Sequence, residues 1–217
     1  MPDPGKPTLK AAIVPVTPLQ QNCSLVWNEA TKAGAIIDPG GDVPILLDAI
    51  KQVGMTPEKI VLTHGHLDHV GGAMELKEAL GVAIEGPHLA DRFLMERAEE
   101  QARSYGLSGM RNATSDRWLD EGDMLEMGGE VFEIFHCPGH SPGSLVYYNK
   151  ANRVALVGDV VFQGSIGRTD FPYGDHEALI SAIKTKLLPL GDDIAFICGH
   201  GPTSTFGQER QTNPFLL

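Results

Sequence analysis

Cysteine is scarce: 217 residues contain only Cys23, Cys137 and Cys198, and none stands in a Cys-x-x-Cys spacing. That excludes a disulfide framework and a structural zinc knuckle, and the three read as reduced, buried thiols rather than ligands. Long apolar runs are missing too. Nothing approaches the roughly 20 residues that span a bilayer, and the start, MPDPGKPTLK, lacks the apolar stretch of a secretory leader. A cytoplasmic protein with no membrane partner is the expectation. Positive charge is short as well: 17 Lys and Arg face 28 Asp and Glu, a formal net charge of -11, which disfavours contact with nucleic acid. What is present, 42% hydrophobic and 21% charged residues without repeats or linkers, suits one ordinary domain with a sizeable core.

Three segments rich in β formers open the chain, Leu9 to Val16, Cys23 to Trp27 and Ala33 to Asp38, and predict a meander. Beyond Pro39-Gly40-Gly41, Asp42 is placed to cap a helix whose Ile45, Leu46, Ala49, Ile50 and Val53 recur at helical spacing up to Gly54. Short strands are predicted at Lys59 to Leu62 and Val82 to Ile84, with a helix from Gly71-Gly72 through Leu80 between them. Pro87 to Tyr105 reads as one longer helix with a solvated face. Strands near Val131 to Phe135, Ser144 to Tyr148 and Val154 to Val157 follow. A glycine-rich loop from Gly158 to Gly174, a helix from Asp175 to Pro189 and a last strand, Ile194 to Cys198, complete the pattern. Alternation sets Tyr147 and Tyr148 on opposite faces, one inside and one outside. Two β-rich halves, each followed by helices, predict an α/β sandwich of layers.

Chemistry concentrates in Thr63-His64-Gly65-His66-Leu67-Asp68-His69-Val70-Gly71-Gly72. Four imidazole or carboxylate donors crowd between an apolar strand and a Gly-Gly helix start, the carboxyl edge where α/β sheets place ligand sites. Such donors suit zinc and its borderline neighbours at about 2.0–2.2 Å. All four cannot comfortably address one ion from so short a turn, so two adjacent ions are the simpler reading. A tag-like histidine run would lack both the interposed Asp68 and the strand-to-helix setting. Further ligands are needed. His140 in Cys-Pro-Gly-His-Ser-Pro-Gly, Asp159 in Val-Ala-Leu-Val-Gly-Asp and His200 in Cys-Gly-His-Gly each stand just past an apolar strand, beside glycine. His88, His136 and His176 read as structural residues or as partners of ligands, and Phe171 and Tyr173 as core or rim packing in preference to pocket lining.

On these residues the chain resembles the metallo-β-lactamase superfamily, whose pattern H-x-H-x-D-H with a distant His, Asp and final His is matched between Val14 and His200. The resemblance implies an αββα sandwich, a single domain over residues 1–217 with its core at residues 9–201. It implies one metal held by His64, His66 and His140, another by Asp68, His69 and His200, and Asp159 bridging them. Class B β-lactamases carry Cys or Ser where Asp159 falls, which argues against a β-lactam hydrolase, and the family's nucleases need an inserted domain. Gly164-Ser165-Ile166-Gly167-Arg168-Thr169-Asp170 and Gly199-His200-Gly201-Pro202-Thr203-Ser204-Thr205 look like the glyoxalase II group. With Asn213-Pro214-Phe215 they look like its short bacterial, YcbL-type members, which are hydroxyacylglutathione hydrolases. That implies a small-molecule partner, S-D-lactoylglutathione or a related glutathione thioester. Larger members append a helical domain that supplies much of the glutathione site, and no such domain is expected in the short stretch after His200.

The implied cofactors are two divalent ions, zinc first, with iron or manganese as alternatives. Ions roughly 3.5–4 Å apart share a water and lower its pKa towards about 7, and a bridging hydroxide then attacks the thioester carbonyl. Asp68 is the residue set to orient that nucleophile. Two divalent cations outweigh Asp68 and Asp159, so a locally positive centre is expected within a chain of net charge -11. Arg168, in the loop after Asp159 where related enzymes carry a basic residue, is the candidate for a substrate carboxylate, with pairing to Asp170 as the equal alternative. Three rivals remain: a mononuclear-iron persulfide dioxygenase using His64, His140 and Asp159, a lactonase or other small-ester hydrolase, and a non-catalytic metal-binding protein. The last is disfavoured because no ligand position is lost. A monomer and a homodimer both fit the sequence.

Overall fold

The computed structural model of the chain describes residues 8–217, and its strands fall into two main sheets. The first takes β1 (Leu9–Val16), β2 (Gln21–Asn28), β3 (Ala33–Ile37), β4 (Thr56–Val61) and β5 (Ala83–Glu85), in that order. β1 to β3 pair antiparallel as the predicted meander. β4 and β5 add in parallel, because α1 (Val43–Val53) and then α2 (Leu67–Val70) with α3 (Ala73–Leu80) return the chain between strands. After α4 (Arg92–Met95) and α5 (Ala98–Ser104) the second sheet begins with β6 (Met124–Met127), β7 (Glu130–His136), β8 (Leu145–Asn149) and β9 (Val154–Gly158). A small hairpin of β10 (Val161–Phe162) and β11 (Ser165–Ile166) precedes α6 (His176–Ala182), and β12 (Ala195–Cys198), β13 (Ser204–Thr205) and α7 (Phe206–Thr212) close the chain. The second sheet runs β13-β12-β9-β8-β7-β6, with β12 parallel to β9.

Strand alternation sorts the apolar residues into three layers of core. Val26, Ile37 and Val61 of the first sheet meet Leu125, Phe132, Ile134, Leu145 and Tyr147 of the second between the sheets. The opposite face of the first sheet, through Leu25, Ile36 and Ile60, packs on Leu46, Ile50, Val70 and Leu76 of the helices. Val146, Tyr148, Ala155 and Phe196 of the second sheet pack on Leu179, Ile183 and Phe206. The result is the expected αββα sandwich. Tyr147 Oη donates to Leu62 O at 2.6 Å, so the largest side chain between the sheets also satisfies its polar tip.

Several sequence expectations need correction. Tyr147 and Tyr148 do face opposite ways, yet both are buried, because helices cover the outer face of the second sheet. Asp42 precedes α1 in a left-handed conformation, φ 49°, and does not cap it; its carboxylate accepts from Thr17 N at 2.7 Å instead. The helix expected over Pro87 to Tyr105 is broken into a 3-10 turn at Leu89–Asp91, α4 and α5. The cause is Asp91, whose buried carboxylate is drawn off to Gly65 N, Gly143 N and Ser141 Oγ. Asp175 does cap α6, accepting from Ala178 N at 2.9 Å, but the helix then widens into a π turn at Ile183–Leu187. Six elements were not anticipated from the sequence: α2, β6, β13, α7 and the β10–β11 hairpin, which lies within the stretch read as a glycine-rich loop. The three cysteines are free and buried. Among the described residues no helix is long and apolar enough to cross a membrane.

Candidate metal centre

All seven expected ligands come together at one end of the sandwich. His64 and His66 follow β4, His140 sits in the β7–β8 loop, Asp159 follows β9 and His200 follows β12, so strand ends of both sheets converge. The backbone explains how one short motif serves two places. His66 is extended, φ -68° and ψ 148°, and residues two apart in an extended chain point the same way, which sets His64 and His66 side by side. From Leu67 the chain turns helical, and Asp68 and His69 are swung to a second position.

Two groups of donors result, each within 4.8 Å: His64, His66 and His140, and Asp68, His69 and His200. In the first, His66 Nδ1 lies 3.0 Å from His64 Nε2 and 2.9 Å from His140 Nε2. In the second, Asp68 Oδ2 lies 3.1 Å from His200 Nε2 and 3.9 Å from His69 Nε2. Asp159 stands between, with Oδ2 at 3.6 Å from both His140 Nε2 and His200 Nε2 and Oδ1 at 3.4 Å from His69 Nε2. Gly199 leaves the room this requires, since a Cβ there would run into Asp159 Oδ1 and His69 Cε1.

The outward hydrogen bonds fix which ring nitrogens face the centre. His140 Nδ1 donates to the carbonyl of Arg168 at 2.9 Å, which makes Nε2 the acceptor nitrogen of the neutral ring. His69 Nδ1 lies 2.9 Å from Asp38 Oδ2, and His64 Nδ1 lies 3.0 Å from Thr63 Oγ1, whose own hydroxyl donates to Asp38 Oδ2 at 2.6 Å. In their neutral forms His64, His69 and His140 therefore point Nε2 lone pairs inward among carboxylate oxygens. His69 Nε2 and Asp159 Oδ1 are buried with no hydrogen-bond partner. Converging lone pairs and orphaned buried acceptors are costly unless cations lie among them, so the donor set fits metal ions.

The electrostatics agree. Burial, with His140 beside it, lowers His66 to about 3, and burial with the neighbouring rings holds His64 low. Burial opposes ionisation of Asp159 and Asp68, but the surrounding histidines outweigh it and keep both carboxyls below their usual range. His69 is also buried, yet Asp159, Asp38 and Asp68 lift it above the usual histidine value, so the carboxylates around it call for positive charge. Asp38 itself is engaged by Thr63 N, Thr63 Oγ1 and His69, which makes it an orienting group even though it lies near His64 and His69.

A cavity of about 590 Å³ opens onto the centre. His66, Asp68, His140, Asp159 and His200 form its floor, and Leu19, Leu67, Tyr105, Phe162, Phe171 and Tyr173 its walls. Arg168 lies on the rim, held by Asp170 at 2.7 and 2.8 Å and lying 4.4 Å from the centroid of the Phe171 ring. Of the two sequence readings of Arg168, the pairing with Asp170 is the one observed. Tyr173 is corrected from rim packing: its hydroxyl is 2.9 Å from His66 Nε2. Asp38 and Asp91 were also missed. Asp38 carried a usable signal, an acid ending an apolar strand just before Pro-Gly-Gly, the same signal that marked Asp159. Asp91 and Tyr173 lie in segments with no such pattern. His88 and His136 stack at 4.4 Å away from the ligand groups, as structural residues.

Known proteins resemble this chain in sequence and fold. The Metallo-beta-lactamase superfamily model matches residues 16–200. Hydroxyacylglutathione hydrolase GloC of Haemophilus influenzae is 52% identical over 205 residues, covering 94% of this chain and 96% of its own. BLEG-1 B3 metallo-beta-lactamase has the same fold with a TM-score of 0.88 at 38% identity, over 95% of this chain and 99% of its own. TTHA1623, solved in a di-iron-bound form, gives a TM-score of 0.84 at 38% identity, over 94% and 100%. With the family model spanning most of its length and the fold shared end to end, the chain belongs to the metallo-beta-lactamase superfamily, as a glyoxalase II-like metallo-hydrolase.

Proposed function

We propose that the chain hydrolyses a glutathione thioester, S-D-lactoylglutathione or a close relative, at a centre of two divalent ions, zinc in the first instance. The observation that carries this reading is the pair of complete donor groups with Asp159 between them, in a chain 52% identical to a protein named a hydroxyacylglutathione hydrolase. His64, His66 and His140 would hold one ion, Asp68, His69 and His200 the other, with Asp159 shared. Bound ions supply Lewis acidity, bringing a water's pKa towards about 7 and polarising a carbonyl oxygen.

The chain's own residues do the rest. Asp68 is ionised, lies at the cavity floor and is steadied by His200, so it can accept a hydrogen bond from the attacking water and orient it. Leu19, Leu67, Phe162 and Phe171 narrow the approach and exclude bulk water around the thioester. Arg168 at the rim offers its guanidinium to a substrate carboxylate, in exchange for or alongside Asp170. Residues 9–201 carry every proposed ligand and all the residues that line the cavity, and we place recognition of the thioester in this one domain.

Thioester hydrolysis measured beside metal content tests the reading. Wild type is expected to bind two ions and cleave lactoylglutathione, and Asp159→Ala to lose activity together with metal stoichiometry. An active, fully loaded Asp159→Ala variant would overturn the shared-ligand role. Oxygen uptake on glutathione persulfide by a form holding one iron would replace the hydrolase with a dioxygenase. The likeness to a protein named a B3 metallo-beta-lactamase makes β-lactam hydrolysis the second reading, and faster turnover of a chromogenic cephalosporin than of any thioester would establish it.

A further inference from the structure

Four candidate ligand rings have a protein partner on their outer nitrogen, and in three of them that partner is not a side chain forming the wall of the cavity. Thr63 and Asp38 are buried beneath the centre, and the partner of His140 is a backbone carbonyl. The fourth is different. His66 Nε2 meets Tyr173 Oη at 2.9 Å, and Tyr173 is itself a cavity wall. Its ring stacks on Phe171, with centroids 5.3 Å apart and planes at 14°, and receives the edge of Phe93 at 5.5 Å. Phe171 in turn lies 5.0 Å from the His66 ring and 5.8 Å from the His140 ring. A single side chain thus touches both the back of a ligand and the surface on which a bound molecule must lie.

We propose that Tyr173 is a positioning residue that couples substrate packing to the metal centre: its hydroxyl accepts from His66 Nε2–H and fixes Nδ1 as the ligand atom, while its ring forms the substrate wall. The geometry requires this tautomer. His64 and His140 already direct bare Nε2 lone pairs at His66 Nδ1, at 3.0 and 2.9 Å, so His66 can join them around a cation only if its proton sits on Nε2. Tyr173 Oη is where that proton goes. A group that pushes the Phe171–Tyr173 stack away from His66 lengthens this bond, and one that packs flat against the stack holds it. For its ligand roles the proposal rests on the two-metal reading above.

Tyr173→Phe keeps the ring and removes the hydroxyl. The test is zinc binding by chelator competition, with Phe171→Ala as a variant of the wall alone and thermal unfolding to check the fold. In Tyr173→Phe one of the two zinc affinities is expected to fall by about 10–100-fold while the other stays near wild type, as for loss of other outer hydrogen bonds to ligand histidines. Its kcat should fall with KM changed less than about twofold, because the lost contact acts on the centre and not on uniform substrate binding. Phe171→Ala should raise KM and leave both zinc affinities in place. Unchanged affinity for both ions in a folded Tyr173→Phe would overturn the proposal. So would an equal loss of affinity in Phe171→Ala, which would make the effect one of general packing. Should Tyr173→Phe lower the unfolding temperature, the competition is read at a temperature where circular dichroism shows both proteins folded, and unchanged affinity for both ions there would equally overturn it. Zinc binding needs no substrate: a chain that shows this dependence yet cleaves no thioester would sink the functional reading alone.

Discussion

Asp38 shows how much one residue outside the ligand set can govern. Its two oxygens accept from Thr63 N at 2.7 Å and Thr63 Oγ1 at 2.6 Å, and Oδ2 also takes His69 Nδ1 at 2.9 Å, so one carboxylate orients a ligand in each group. Its backbone is left-handed, φ 52°, a conformation asparagine also adopts, so Asp38→Asn tests the carboxylate without straining the turn. An amide replaces one acceptor with a donor. Zinc affinity in Asp38→Asn is expected to fall by about 10–100-fold while the fold is kept, measured by chelator competition and circular dichroism. At this scale the ligands were legible because H-x-H-x-D-H packs rare donors into adjacent positions, whereas Asp91 and Tyr173 act through contacts with residues dozens of positions away.

At the scale of elements, the site depends on loops tied to one another through side chains. Asp91 joins the Gly65 backbone to Ser141 and Gly143, so the loop carrying His64 and His66 is held to the loop carrying His140. Asp116 does similar work at the edge of the first sheet, accepting from Ile84 N at 2.8 Å and from Lys77 Nζ of α3 at 2.6 Å. Those bonds, the backbone one first, depress its carboxyl below the usual value. A depressed carboxylate stabilises the fold above its unfolded pKa, about 3.9, and that contribution is lost as pH falls through its lower native value. Because the side chain is 41% exposed, Asp116→Ala should lower Tm by only about 1–3 °C at pH 7. The difference from wild type should shrink below about pH 4. A gap that widened on acidification would refute the assignment. The longer strands were read well because apolar runs sit between turn residues, and their ends moved by a few positions, whereas the short β6, β10, β11 and β13 were not anticipated. The helix over Pro87 to Tyr105 was not, since its apolar spacing is compatible with continuity and the break is imposed by Asp91 reaching across the molecule.

For the whole molecule, the candidate donors are drawn from both sheets, from the ends of β4 and β9 and from the loops beside β7 and β12, so an ion bound among them would pin the sheets together. Metal binding is therefore expected to be worth stability as well as chemistry. At metal 100 times its Kd the gain is about 2.7 kcal/mol, which corresponds to roughly 5–10 °C in Tm for a chain of this size. Chelation at neutral pH should lower Tm by that order, and added zinc should restore it. A Tm indifferent to chelator would show that the donor groups are stable without cations.

The sequence by itself determined the sandwich of layers and the seven candidate donors, because each depends on residue type and local spacing: apolar alternation, glycine beside a strand end, and four imidazole or carboxylate groups in one turn. Only the tertiary structure decided which nitrogen of each histidine faces inward, that Arg168 stands at the rim in the grip of Asp170, and that Tyr173 joins the cavity wall to His66. Those facts are distances between residues far apart along the chain. A hydrogen bond of 2.9 Å between positions 66 and 173 leaves no trace in the composition around either one, and comes into being only when two sheets bring their strand ends together.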